Sequence, residues 1–113
     1  MGVAHAVAGK AVKLLLSESE LGQAKTTALV KTSNFETMRL CVHEGQEIPA
    51  HKTKGPITVQ CLQGKVVFTV GEVNNEMTPG DWLYLEGDQL HSLKGVEDSA
   101  LLLTIVFTQT TVD

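Results

Sequence analysis

Short runs of apolar residues, several of them alternating with polar ones, follow one another along the chain after residue 25, and glycine, proline, serine or asparagine punctuates them. The runs are residues 26–32, 36–42, 56–63, 65–71, 81–87, 90–93 and 100–107. Alternation of this kind, with β-branched and aromatic side chains, is typical of strands with one buried face. Gly64 lies between two runs that follow at once, which predicts a hairpin there.

No helical periodicity interrupts this series of predicted strands. Ten glycines and three prolines divide the 113 residues into pieces too short for most helices. A chain of this length is expected to form one domain. Many short strands must close on themselves or stack to avoid long exposed edges, so the pattern predicts an all-β barrel or a double-sheet jelly roll.

The N-terminal residues are the one ambiguous part of the pattern. Residues 11–22, AVKLLLSESELG, are compatible with an edge strand and turn or with a short helix ending near Gly22. We favour a strand over residues 11–16. The chain is therefore divided into an N-terminal segment, residues 1–24, that forms an edge strand or a strand exchanged with a partner, and a barrel, residues 25–113.

Composition excludes several classes of function. The net charge is −4 and Arg39 is the only arginine, so the chain has no basic surface for nucleic acid or for an anionic membrane. No apolar run approaches the ~20 residues of a membrane helix, and no targeting segment is recognisable. Cys41 and Cys61 lack the spacing of a zinc or redox motif and are expected to be free thiols, which favours a cytoplasmic location.

Two stretches of the sequence each contain a glycine that is followed several residues later by a histidine. The residues concerned are Gly45, His51 and Gly64 in the first stretch, and Gly80 and His91 in the second. Together the stretches resemble the two motifs of the cupin superfamily, and especially small single-domain bacterial cupins of the conserved-barrel type. The resemblance covers residues 26–107 and implies the cupin double-stranded β-helix, a jelly-roll barrel.

The chain departs from the family pattern at several motif positions. The second histidine of the first motif is replaced by Thr53, and the glutamate position falls on Ile57. In the second motif, the proline, the second glycine and the asparagine are replaced by Glu86, Asp88 and Gly95.

These departures decide what the resemblance implies about metal. Metal-binding cupins use two histidines and the glutamate of the first motif and the histidine of the second, and here only His51 and His91 match. Protein metal sites usually have at least three protein ligands, so these two histidines, completed by water, would bind a divalent transition metal weakly. We therefore expect no tightly bound cofactor. Tight metal binding would need a further ligand side chain at the same end of the barrel. The candidates are His43, Cys41, Cys61 and Glu44.

Three functions are compatible with this pattern. We favour a small-molecule-binding cupin in which His51 and His91 are polar anchors in an apolar cavity, with Thr53 and Ile57 on its wall. The first alternative is a metal-dependent dioxygenase or isomerase that supplements the two histidines with non-standard ligands. The second is a metal-free isomerase or epimerase with a histidine base. The sequence identifies no catalytic residue and no specific ligand.

Apolar residues exceed what one barrel interior of this size needs. Residues 100–107 are almost uniformly apolar, so both faces of that strand require cover. We predict a homodimer, and Trp82 and Tyr84 on one strand face are expected to pack in the core or at the dimer interface. The alternative is that loops and the N-terminal segment cover the outer face within one chain.

Overall fold

The computed structural model describes residues 6–107 and consists of two antiparallel β-sheets and one short helix. The elements are α1 (Glu18–Leu21), β1 (Thr27–Lys31), β2 (Phe35–Val42), β3 (Glu47–His51), β4 (Ile57–Gln63), β5 (Val66–Val70), β6 (Val73–Met77), β7 (Trp82–Leu85), β8 (His91–Gly95) and β9 (Ser99–Val106). The predicted all-β jelly roll is confirmed, and each predicted run contains or overlaps a strand.

The strands form a five-stranded sheet in the order β1-β2-β9-β4-β7 and a four-stranded sheet in the order β3-β8-β5-β6. Buried apolar side chains from both sheets fill the space between them, because alternate residues of each strand point inward. The completely buried members of this core are Val42, Val59, Cys61, Val66 and Leu101. They lie towards the end of the sandwich where Val42 pairs with Ser99.

The hairpin predicted at Gly64 is wrong. Strands β4 and β5 belong to different sheets, so the turn at Gly64 carries the chain from one sheet to the other. Gly64 has a φ of +85°, and a Cβ there would strike the backbone of Asp98 and the side chain of Ser99. The Ser99 hydroxyl accepts the Lys65 N–H at 2.8 Å, so the corner is fixed against the loop before β9.

The strand favoured over residues 11–16 is also wrong within the single chain. Side chains, not a neighbouring strand, bind this backbone: Arg39 Nη1 donates to the Leu14 carbonyl at 3.3 Å. The Gln63 amide donates to the Leu16 carbonyl at 2.7 Å and its oxygen accepts the Leu16 N–H at 2.9 Å. The alternative helix ending near Gly22 is present as α1. Exchange of this segment with a partner stays a prediction.

Residues 14–16 therefore lie against the outer face of the five-stranded sheet. Arg39 alternates with Met38 and Leu40, which point into the interior, so its side chain is on the outer face. Part of the apolar outer face is covered within one chain. Of the described residues, none belongs to a helix long and apolar enough to cross a membrane.

Candidate functional site

Strand pairing brings His51 and His91 together. His51 is the last residue of β3, His91 is the first residue of β8, and the two are direct partners in the antiparallel pair. Directly opposed residues of such a pair project to the same face, and here the ring centroids are 4.4 Å apart. An irregularity between Ile48 and His51 shifts the register. It places the extra residue at Pro49 or Ala50, in an edge strand where proline is tolerated.

Both imidazoles are held in the same way by the backbone two residues earlier. His51 Nδ1 donates to the Pro49 carbonyl at 3.0 Å, and His91 Nδ1 donates to the Gln89 carbonyl at 2.9 Å. A carbonyl oxygen can only accept, so each Nδ1 carries the hydrogen and each Nε2 of the neutral ring has a free lone pair. Neither Nε2 has a hydrogen-bond partner among residues 6–107.

The two rings differ in burial. His91 is 6% exposed and stacks on Phe68, with centroids 5.7 Å apart and an angle of 11° between the planes, whereas His51 is exposed. Burial lowers the pKa of the His91 imidazole from its usual value. The hydrogen bond to the Gln89 carbonyl opposes this shift in pKa, and the nearby His51 ring adds to it. Burial therefore favours the neutral form of the His91 ring.

A cavity of about 250 Å³ opens between the two sheets beside these rings. Its lining is mostly apolar and consists of Met38, Leu40, Ile48, His51, Thr53, Ile57, Phe68, His91, Ser92, Leu93, Leu103 and Ile105. The expected placement of His51, His91, Thr53 and Ile57 around one cavity is confirmed. Their role in ligand binding stays a prediction.

Thr53 and Ile57 contribute neither an imidazole nor a carboxylate to the cavity. The Thr53 hydroxyl donates to the Gly55 carbonyl at 3.0 Å, and the Thr53 carbonyl accepts the Asp88 N–H at 2.7 Å. Ile57 is 2% exposed and belongs to the core as well as to the wall. The two residues at the positions of the missing family ligands are thus a turn residue and an apolar wall residue.

The donor set at this cavity does not suit a resident metal. Within residues 6–107 no three histidine, cysteine, aspartate or glutamate side chains are grouped in a way that could hold an ion. None of the four supplementary donors proposed from sequence lines the cavity. His43 Nε2 donates instead to the Ala24 carbonyl at 3.1 Å. Two imidazoles without a carboxylate do not fit the ion that the family's motifs imply.

The two cysteines are also unsuited as ligands. Both are free, as expected, and both are buried. Burial, and next the negative charge of Asp81, raises the pKa of the Cys61 thiol to about 11, and burial raises the pKa of the Cys41 thiol. A metal ligand must be the thiolate, so these groups are poorly prepared for that role.

The apolar wall of the cavity was not predicted from the sequence. Met38, Leu40, Phe68, Leu103 and Ile105 are ordinary inward positions of β2, β5 and β9. Strand alternation could have assigned these residues to the interior. Whether an interior residue lines the cavity or belongs to the filled core depends on how the two sheets pack together, which the sequence does not show.

Comparison with known proteins agrees with this architecture. The model of the cupin domain family matches residues 38–107, and no curated protein matches the chain. A conserved protein of unknown function from Streptococcus pyogenes has a TM-score of 0.77 at 21% identity, covering 97% of this chain and 98% of that one.

Two further solved structures are similar at low identity. An RmlC-like cupin from Desulfovibrio desulfuricans has a TM-score of 0.66 at 21% identity, covering 94% of this chain and 97% of that chain. KdgF from Halomonas sp. has a TM-score of 0.68 at 14% identity, covering 74% and 78%. At these identities the similarity shows the fold alone.

Proposed function

This chain belongs to the cupin family, and from that premise we propose that it is a small-molecule-binding cupin whose metal site is degenerate. The observation that supports the proposal is the cavity of about 250 Å³, in which two adjacent imidazoles are the outstanding polar groups of an apolar wall. Binding sites for small molecules usually combine an apolar lining with a few convergent polar groups.

The dimensions of the cavity limit the ligand. Pockets for drug-sized molecules begin at about 300 Å³, so this cavity suits a smaller molecule, such as one carrying a single six-membered ring. The apolar wall would bind the body of the ligand through burial of its surface, at about 25 cal/mol per Å² before the cost of ordering it. His51 and His91 would then fix its orientation.

The test is a titration of isotope-labelled protein with toluene, followed through the backbone amide resonances. We expect shifts that saturate and that map to the cavity strands β2, β5, β8 and β9. A matched pair of variants localises the site: Ile105→Trp fills the cavity, whereas Val73→Trp adds the same side chain at an exposed position of β6. Ile105→Trp is expected to abolish the shifts and Val73→Trp to preserve them; shifts that survive Ile105→Trp would contradict the proposal.

One observation favours a second candidate, a metal-free isomerase in which His91 is the base. The sequence identified no acidic residue that would orient His51 or His91, but the Gln89 carbonyl accepts the Nδ1–H of His91 and leaves Nε2 ready to accept a proton. Such an enzyme would exchange a carbon-bound hydrogen of its ligand with D₂O. Once a cellular ligand is identified, mass spectrometry of that ligand after incubation in D₂O distinguishes catalysis from binding.

The metal-dependent alternative has less support, because its carboxylate position is the buried Ile57 and no third donor borders the cavity among the described residues. A cytoplasmic location is part of the proposal and is supported by the two buried free thiols.

We further propose that the chain forms a homodimer. Trp82 and Tyr84 are 62% and 52% exposed on β7, so they are not core residues. Among residues 6–107, β7 is an edge strand whose one neighbour is β4, and exposed aromatic side chains on such an edge favour association with a second copy. Residues 14–16 cover part of the same sheet, and the exposed aromatic pair on β7 is the surface that we propose for the partner.

A further inference from the structure

Building on the proposed small-molecule site, we propose that the cavity selects neutral hydrogen-bond donors with an apolar body, of the class of phenols and small alcohols, over anions, amines, ethers and hydrocarbons. The feature that carries this inference is the matched orientation of the two imidazoles. Each gives its Nδ1–H to a backbone carbonyl, of Pro49 or of Gln89.

The cavity therefore presents acceptors to its ligand. Because Nδ1 carries the hydrogen in both rings, the Nε2 atoms of His51 and His91 can only accept while the rings are neutral. With the ring centroids 4.4 Å apart, both acceptors belong to one polar spot on the wall. A ligand that buries this spot must supply at least one O–H or N–H, since an acceptor that is covered without a partner loses its bond to water.

The remaining polar lining residues offer no competing donor. The Thr53 hydroxyl gives its hydrogen to the Gly55 carbonyl. Ser92 lies between His91 and Leu93 on β8, so its side chain projects to the opposite face of the sheet. A ligand that brings only acceptors would find no side-chain donor in the cavity.

Charged ligands are disfavoured for a related reason. Within residues 6–107 no aspartate, glutamate, lysine or arginine lines the cavity, so a carboxylate or an ammonium group would be desolvated without an opposite charge. Burial of an unpaired charge costs far more than burial of a neutral hydroxyl that forms a hydrogen bond. Selection among neutral molecules then depends on whether the ligand carries a donor.

A series of ring compounds of similar size tests this selection. Dissociation constants of phenol, anisole, toluene, benzylamine and benzoate would be measured from amide shifts at pH 8.5, about two units above the usual histidine pKa of ~6.5. Phenol is expected to bind at least about tenfold more tightly than anisole and toluene, which corresponds to one hydrogen bond that is made or left unmade. Benzylamine and benzoate are expected to bind more weakly than phenol.

Histidine variants locate the preference. His91→Leu is expected to reduce the advantage of phenol over toluene, and His51→Leu/His91→Leu to remove it, whereas His43→Leu is a matched control outside the cavity. His51→Leu provides a second test if the buried His91 position does not tolerate leucine, because the His51 ring is exposed.

The outcomes separate this inference from the proposed function. Equal affinity for phenol and toluene, or tightest binding of benzoate, would overturn the donor selectivity and leave a small-molecule site in place. A preference for phenol that survives in the double variant His51→Leu/His91→Leu would overturn the assignment of the imidazoles as acceptors, since each single variant leaves the other ring as an acceptor. If no compound of the series binds, the proposed function fails and the inference fails with it.

Discussion

Restoring the family's missing ligands should convert the apolar cavity into a metal site. The perturbation is Thr53→His together with Ile57→Glu, which adds an imidazole and a carboxylate to His51 and His91. All four positions line the same cavity, so the new side chains would face the existing pair. We expect the affinity for zinc, nickel or manganese to rise by orders of magnitude over the parent, because two donors become four.

The structure also predicts the cost of this change without metal. Ile57 is 2% exposed, and its replacement removes a core side chain and introduces a carboxyl group with no partner. Loss of a large buried aliphatic side chain costs about 2–5 kcal/mol. Burial would also raise the pKa of the new carboxyl group and favour its neutral form. The metal-free variant should therefore be less stable than the parent by several kcal/mol. Metal at a thousand times its Kd would restore about 4 kcal/mol.

The assay combines thermal unfolding with calorimetric titration of metal. A restoration of about 4 kcal/mol corresponds to a rise in Tm of roughly 15 °C for a domain of this size. Thr53→His with Ile57→Gln is the matched control, since it has the same shape without the carboxylate and should gain much less. A parent protein that is stabilised by metal as strongly as the double variant would refute the reasoning.

Three further predictions follow from the packing. The pKa of His91 is lower in the folded protein, so the unfolded chain binds a proton more readily. The contribution of His91 to the free energy of unfolding is therefore present above pH ~6.5 and is lost as the pH falls through the folded-state pKa. In urea unfolding measured over a series of pH values, His91→Phe should remove this pH dependence. In chemical denaturation, Gly71→Ala should lower the free energy of unfolding by ~1 kcal/mol and Gly64→Ala by well over that. Both glycines have a positive φ, but only at Gly64 would an added Cβ collide with the backbone of another segment. Sedimentation equilibrium at micromolar concentration should give twice the chain mass for the parent and the chain mass for Trp82→Asp; a monomeric parent would contradict the dimer.

Local patterning predicted the strands that are rich in apolar, β-branched or aromatic residues, including the almost uniformly apolar β9, but it missed β3 and β6. β6 reads Val-Asn-Asn-Glu-Met and only Met77 is buried, so its sequence lacks the alternation that identifies a strand. β3 contains Pro49 and an irregular register, and its outward residues are exposed. Both are edge strands of the four-stranded sheet, where neighbouring strands rather than intrinsic preference determine the structure.

The errors at Gly64 and in the N-terminal segment have different causes. A glycine between two strand-like runs does not reveal whether the next strand pairs with the previous one or crosses to the other sheet, because that depends on contacts with distant residues such as Ser99. At the N-terminus a local signal was available: Ser17 and Glu20 form a capping box, the S-x-x-E pattern that starts a helix.

At the site, sequence motifs located the histidines but not their surroundings. The spacing from Gly45 to His51 and from Gly80 to His91 identified two residues that the strand register then brings to 4.4 Å. The carbonyl groups of Pro49 and Gln89 determine which ring nitrogen carries the hydrogen. Their positions depend on the irregular register of β3 and on the loop before β8, and they have no sequence signature.

The central claim, that this cupin holds a small organic molecule rather than a metal ion, is tested most directly by native mass spectrometry of protein purified without added metal and dialysed against a chelator. The account predicts chains of unmodified mass and chains carrying a small neutral organic molecule, with that second species absent in Ile105→Trp. A chain that retains one transition-metal ion through the chelator would contradict it.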